Sequence, residues 1–197
     1  MSLLKFEKKN TVKIGGRKYP IVQIGNQWWM AENLDWKLDG IEIGASGIPS
    51  TPAAWYRNNN EETYGVNGNK LGLLYNYWCI DIINNALSKG WRVPTRNDVE
   101  QLVTAVGGEE NARKLKDMSW NSGTDDYGMC IKSYCYRWGA DGNFYTGDAY
   151  IATSTEDSRY VNNSNTLAFY DARPTNMHVT AERFSSAFSI RLVKDAT

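Results

Sequence analysis

The sequence predicts an α+β domain in which a helix-bearing half precedes a half of short strands and loops. Three observations carry that reading. The segment PTRNDVEQLVTAVGG (94–108) sets Val99, Leu102, Val103 and Val106 at helical spacing, between a capping threonine and a pair of glycines. From Trp120 onward, β-prone runs alternate with Gly, Asn and Asp. Eight tryptophans and twelve tyrosines gather in short turn-bounded phrases rather than along helical faces. Such rings bury much apolar area while keeping one polar handle, and so pin irregular backbone.

In chain order, residues 1–10 read as a charged tail and 11–197 as one domain, a length that suits a single core. TVKI (11–14) and YPIVQI (19–24) are strand-like runs around Gly15-Gly16-Arg17-Lys18, a hairpin signal. IGNQWWMAENL (24–34) follows through a Gly25-Asn26 turn. Residues 39–70, rich in Gly, Pro, Ser and Asn, read as a long surface excursion, because core-like character resumes at LYNYW (74–78). A helix is expected over Tyr75–Leu87, ending near Gly90. Thr95 caps the next helix with Asp98 three residues on, and Gly107-Gly108 ends it. A short helix follows over 110–116. The remainder reads as strands in MCIKSYCYRW, YIATST, TLAFYDA, MHVTA and FSIRLV. Trp28, Trp78, Trp91 and Trp120 are expected to lie mostly in the core, as is the thiol of Cys79.

Composition narrows the function. Lys+Arg and Asp+Glu both number 22, so no basic surplus serves a nucleic acid or an anionic membrane. No apolar stretch reaches 18 residues, which argues against membrane insertion. MSLLKFEKKN lacks the apolar run of a secretory signal. Three cysteines allow one bridge at most.

Side chains that could do chemistry are sparse. His178 is the one histidine, so a His-based metal cluster is excluded, and neither Ser154 nor Ser185 lies in a nucleophile elbow. Asp125 and Asp126 could pair with Asp98 or Glu100, but spacing does not identify such pairs, and a turn-capping role suits the aspartate better. GVNGNKLG (65–72) and IGGRK lack the Lys-Ser/Thr ending of a phosphate loop and read as turns. That leaves Tyr160–Ser186, where Tyr, Asn, Ser and Arg alternate as they do on recognition surfaces. The plainer reading is a polar loop joining two strands.

Six phrases in order, IGNQWWMAENL (24–34), LYNYW (74–78), GWRVPTRNDVEQLV (90–103), GTDDYGM (123–129), IATSTED (151–157) and AFSIRLVKD (187–195), resemble the Fibrobacter succinogenes major paralogous domain. The likeness runs from about Val12 to Asp195. That family is similar to the C-type-lectin-like fold of formylglycine-generating enzymes and of retroelement-diversified variable proteins. The resemblance implies about two helices, a small twisted antiparallel sheet, long loops and neighbouring termini. Ala152-Thr153 stands where the family phrase has Trp-Ser, removing an aromatic from the half expected to face ligand. Ala187 stands where it has Gly, implying a backbone there that needs no positive φ.

The resemblance also frames function. Cys130 and Cys135 have the separation of the copper-binding pair in formylglycine-generating enzymes but lie about fifty residues before FSIRLV instead of just before it. An oxidase is therefore an alternative, ranked behind a non-catalytic binding domain with no cofactor. Calcium is a further alternative at Asp141, Asn143 and Asp148, whose spacing does not fit an EF-hand. In the retroelement proteins the variable positions precede the closing strand, which places binding on Tyr160, Asn162, Asn165, Tyr170, Asp171, Arg173, Asn176 and His178. The implied ligand is a protein or glycan on a cell surface, met outside the cell, on its surface or on a phage particle. A structural adhesin or pilus component is the third alternative.

Overall fold

A computed structural model describes residues 10–62, 71–88 and 90–196. Nearly all of the expected tail, and most of GVNGNKLG, lie outside the described residues. The first strands are β1 (Thr11–Ile14), β2 (Arg17–Ile24) and β3 (Gln27–Met30). Gly15 and Gly16, at φ +54° and +83°, make the tight corner of the first hairpin, a left-handed conformation that glycine adopts at little cost. The excursion after Asp39 is not wholly superficial. It contains β4 (Glu42–Ile43) and β5 (Ala53–Trp55), and Ala53, Ala54 and Trp55 are completely buried. Next come β6 (Leu74–Asn76), α1 (Cys79–Ala86) and α2 (Arg96–Ala105). The expected helix over 75–87 thus starts four residues late, because Tyr75 is in a strand. The short helix after Gly108 is a 3₁₀ segment, Glu109–Lys114.

The second half supplies β7 (Cys135–Arg137), β8 (Phe144–Thr146), β9 (Ala149–Glu156), β10 (Asn163–Phe169), β11 (Met177–Arg183), β12 (Ala187–Ser189) and β13 (Val193–Asp195). Among the described residues the strands form two sheets. The smaller runs β1-β2-β3-β13, and the larger runs β11-β10-β9-β12-β6-β5-β4 with β7 and β8 branching from β12. Most pairings are antiparallel, but β12–β9 and β4–β5 are parallel. The architecture is mixed α and β with strands predominating, so the sheet content exceeds the small sheet that was expected. MCIKSYCYRW contributes only Cys135–Arg137 as strand.

Alternation along β9 and β10 sorts side chains to two faces, as a period of two requires. Ala149, Ile151, Leu167 and Phe169 join Val99 and Leu102 of α2 and Trp29 and Trp120 in one cluster. Tyr150, Ala152 and Ala168 join Ile80 and Ile83 of α1 with Tyr19, Met30 and Leu34 in another. Ala152, at 5% exposure, is therefore a core position rather than a ligand-facing one. Ala187 lies in a strand, as its identity implied. Of the four tryptophans expected inside, Trp120 is buried and Trp28, Trp78 and Trp91 are half-buried. The fully buried indoles are Trp29 and Trp55.

Two polar networks lock this frame. Thr95 and Asp98 form a reciprocal capping box at the start of α2. Asp98 also accepts from Arg92 Nη2 at 2.6 Å and Gln27 Nε2 at 3.0 Å, while Gln27 in turn receives Trp29 Nε1 at 3.1 Å. Arg191, between β12 and β13, is 2% exposed. It donates to Asn33 Oδ1 at 2.8 Å, to Cys130 O at 3.0 Å, and to the carbonyls of Met30 and Met129. Burial pulls the guanidinium down to about 10.

Candidate functional site

The segment 160–186 is mostly a strand pair, not a loop. β10 and β11 run antiparallel from Asn163↔Arg183 to Phe169↔Met177, and from Ser164 to Phe169 every side chain of β10 is buried. A seven-residue strand spans about 20 Å, so the eight expected binding residues divide between its ends. Tyr160 and Asn162 lie at one end, and Tyr170, Asp171, Arg173, Asn176 and His178 at the other. Asn165 belongs to neither, being 1% exposed. It sits where the β9–β10 register shifts, and its Nδ2 donates to Thr155 O and Glu156 O at 3.2 and 3.1 Å. A bulge strands carbonyls that this amide satisfies. Asn165 is structural.

The Tyr160 end opens on a groove of about 900 Å³. Trp78 and Phe184 line it, their rings edge-to-face at 6.1 Å, and Tyr77 stacks on Phe184 at 4.0 Å. One wall is Ile48, Pro49 and Ser50. That wall is held by Trp55 Nε1 donating to Ala45 O at 2.8 Å, by Asn76 Nδ2 donating to Thr51 O at 2.8 Å, and by Arg137 donating to Gly47 O. The other wall is the turn Arg159–Asn163. Asn162 adopts φ +58°, and its carbonyl accepts from Phe184 N at 2.8 Å. The turn projects Tyr160 and Val161, 57% and 90% exposed. Arg159 lies over the Tyr160 ring at 5.5 Å and pairs with Asp157 at 2.9 Å. Sequence reasoning found Tyr160 and Asn162 but missed Arg159, Val161, Arg183 and the Ile48–Ser50 wall, and it placed Trp78 inside. The available signal was Tyr-Val beside Asn-Asn, an apolar pair next to a turn.

At the far end, the residues after β10 are tied to the preceding half. Lys116, fully buried, donates to Tyr170 O at 2.9 Å and lies 4.1 Å from the Trp120 ring centre. Burial pushes this amine down to about 8, against the attraction of Asp171 and Asp148. Trp120 Nε1 donates to Asp171 Oδ1 at 2.9 Å, and Asp148 Oδ1 accepts from Asp171 N at 2.9 Å. Tyr170 and His178 stack at 5.0 Å with the hydroxyl 3.2 Å from Nε2.

On the same strand, Glu182 is 9% exposed and its carboxyl is pushed up to about 7 by burial. Because the folded value exceeds the usual 4.5, this group's contribution to stability is fully present below about pH 4.5 and is lost as pH rises through about 7. Glu182→Gln should therefore remove roughly 2 kcal/mol of the decline in stability between pH 5 and pH 8, allowing for partial solvation. Parallel urea titrations of parent and variant at both pH values measure this. Identical pH dependence in the two proteins would contradict it.

The other candidates are dispersed. The three cysteines are free thiols. Cys130 Sγ donates to Asp125 Oδ2 at 3.0 Å, whereas Cys135 is buried with Trp55 and Tyr134 in a third core cluster. Burial pushes Cys79 and Cys135 up to about 12, and burial with the Asp125 contact pushes Cys130 up to about 11. Asp125 Oδ1 accepts from Cys130 N at 2.8 Å, the turn-capping role expected of it. Asp98 belongs to the helix cap, and Glu100 pairs with Arg96 at 2.6 Å. Asp141 accepts from Asn143 N at 2.9 Å and from Tyr145 Oη at 2.5 Å, whereas Asp148 turns to Asp171. Among the described residues, no three His, Cys, Asp or Glu side chains gather as a metal site. Ser154 and Ser185 donate to Pro94 O and Gly139 O. No described helix is long and apolar enough to cross a membrane.

The family model described as Fibrobacter succinogenes major domain matches residues 22–194. No curated protein matches the chain, and neither does any solved structure. The match takes in both helices, the groove and the Arg191 network, and the chain belongs to this family.

Proposed function

We propose that this member of the Fibrobacter succinogenes major domain family is a non-catalytic binding domain of C-type-lectin-like architecture that takes a glycan in the Trp78–Phe184 groove. The observation that carries the reading is the exposed Tyr160-Val161 pair beside those two rings. Aromatic faces accept the apolar side of a sugar ring. Asn162, Asn163, Arg183 and Ser185 border the groove and supply the hydrogen-bonding groups that fix its orientation. The high thiol pKa values at Cys130 and Cys135 favour binding over the oxidase alternative, since a thiolate is the metal ligand and nucleophile.

Display on a bacterial surface or a phage particle suits such a domain. If a retroelement diversifies it, variation belongs at positions 159–162, 171–173 and 183, whose side chains are exposed. Variation along Ser164–Phe169 would disturb the core.

The test is a glycan array probed with the parent and with a Tyr160→Ala/Arg183→Ala variant. Capture should fall at least about tenfold, with the melting temperature changed by no more than about 2 °C, as suits exposed sites. An array that retains no parent protein, or a variant that binds as well as the parent, refutes the assignment. A peptide ligand would emerge as binding to a peptide library with the array blank.

A further inference from the structure

The groove beside Trp78 and Phe184 carries charge of one sign. Of the twelve residues that line it, Arg159 and Arg183 are the charged ones, and no aspartate or glutamate is among them. Arg159 is already engaged. Its Nε and Nη2 donate to the two oxygens of Asp157 at 3.1 and 2.9 Å, and its amide donates to the same carboxylate at 2.8 Å. That pair leaves its wall close to neutral. Glu156 borders an adjoining hollow that shares Arg159–Asn162 and Phe184 with the groove, not the groove itself, and its charge reaches Tyr77.

Arg183 is the charge left over. It ends β11 opposite Asn163, and its carbonyl accepts from Ser186 N at 2.9 Å, so the backbone that carries it is held. The residue is exposed, and among the described residues its guanidinium has no ion pair and no hydrogen bond. On open surface such a group is simply hydrated. This one stands on the lining of an aromatic groove, next in the chain to Phe184, with Asn162 and Asn163 also on that lining. A planar fork of N–H donors matches a carboxylate through two parallel bonds, a fit that a sugar hydroxyl does not offer. Where rings displace water, the attraction between such charges also exceeds its value in bulk solvent.

We propose that the groove selects an acidic glycan, one whose stacked sugar bears a carboxylate, and that Arg183 receives that carboxylate. The inference rests on the glycan reading of the groove and narrows it to a chemical class. A carboxylate attached to a sugar ring projects from the rim of the ring while the apolar face lies on an aromatic side chain, so the two contacts are compatible. Asn162 and Asn163 then serve the hydroxyls. Hexuronic acids and sialic acids both present this group. The whole chain has a net charge of zero and so exerts no general pull on anions. Discrimination between an acidic and a neutral sugar therefore falls to the local contact.

Tetragalacturonate, tetraglucuronate and sialyllactose are titrated into the full chain, each beside its carboxyl-reduced form, by calorimetry and saturation-transfer NMR. At least one acid should bind at least about tenfold more tightly than its reduced form. In Arg183→Gln that ratio should shrink to within about twofold, the coupling that a direct contact produces. The variant should melt within about 2 °C of the parent, as suits an exposed side chain. Raising salt from about 50 to about 500 mM should weaken the acid and spare its reduced form, because an exposed charge pair is screened. A uronate preference identifies a hexuronic acid and a sialyllactose preference a sialic acid, and either supports the proposal. Equal affinity for acid and reduced forms, or a ratio unchanged in Arg183→Gln, overturns the proposal and leaves the glycan reading standing. Failure of every one of these saccharides to bind at about 10 mM, above the millimolar affinity of a weak site, also overturns it. Capture of neutral glycans on the array then preserves the glycan reading, whereas a blank array ends both.

Discussion

Arg191→Met will cost about 3–5 kcal/mol and lower the melting temperature by about 10–15 °C. Methionine fills much of the arginine's volume, so the loss is not one of packing. What disappears is, among the described residues, the side chain that donates to the carbonyls of Met30, Met129 and Cys130 and to Asn33 Oδ1. These acceptors come from two separate stretches of chain, 30–33 and 129–130, which Arg191 ties together. Left dry, a buried acceptor costs about 1–3 kcal/mol. Arg191→Lys should recover little, since an ammonium on a flexible stem cannot reach four acceptors spread around a planar fork. Calorimetric melts of the two variants decide the matter. A methionine variant within about 1 °C of the parent, a shift typical of exposed sites, would show that the carbonyls find other donors.

The second large effect is expected at Asp98. Asp98→Ala will destabilise by about 2–3 kcal/mol, combining the loss of the reciprocal half of the capping box with that of the acceptor buried under Arg92 and Gln27, while Arg92 keeps its pairing with Asp195. Burial alone would raise this carboxyl, but hydrogen bonds from Arg92 and from the Thr95 amide and hydroxyl outweigh it and hold the group below the usual carboxylate value. A depressed folded value means the contribution is present above the unfolded value, near pH 4, and is lost as pH falls through the lower folded one. Acid titration should therefore unfold the parent more steeply below about pH 4 than it unfolds Asp98→Asn. Equal acid slopes, followed by circular dichroism, would count against this linkage. Asp98 and Glu182 act in opposite directions, one failing in acid and the other losing stability toward neutral pH.

Local signals were legible and non-local ones were not. The capping box at Thr95–Asp98 could be read because both partners lie within one turn. The Gly15-Gly16 corner could be read because the backbone there admits little else. Ala53–Trp55 escaped notice because three apolar residues amid Pro, Ser and Asn carry no periodicity, and their burial comes from β6 about twenty residues later. The Tyr160–Ser186 segment looked like a loop because its strands are polar. Thr153 Oγ1 donates to Asn165 O at 2.7 Å, so the polar side chains of this sheet face inward on the strength of hydrogen bonds that only register creates. The same blindness scattered the expected binding residues. Composition marks a stretch of chain but does not say which end of a hairpin each residue occupies. Trp78 and Phe184, more than a hundred positions apart, meet only in three dimensions.

The pairing of β13 with β3 has a consequence for how the protein is made. Val193, Lys194 and Asp195 complete the ladder begun by Trp29, Trp28 and Gln27. Met30 N and Leu34 N also donate to Leu192 O and Ile190 O, at 3.0 and 2.8 Å. β1, β2 and β3 therefore wait for β13, more than 160 residues later, before their sheet can close. Until β13 has been made, β3 presents one open edge, with the indoles of Trp28 and Trp29 on a strand that has only β2 beside it. Non-local closure of this kind slows folding and leaves a sticky intermediate. Deleting Val193–Asp195 should thus harm the yield of folded protein far more than the small size of this strand suggests, because it is the latch for β3.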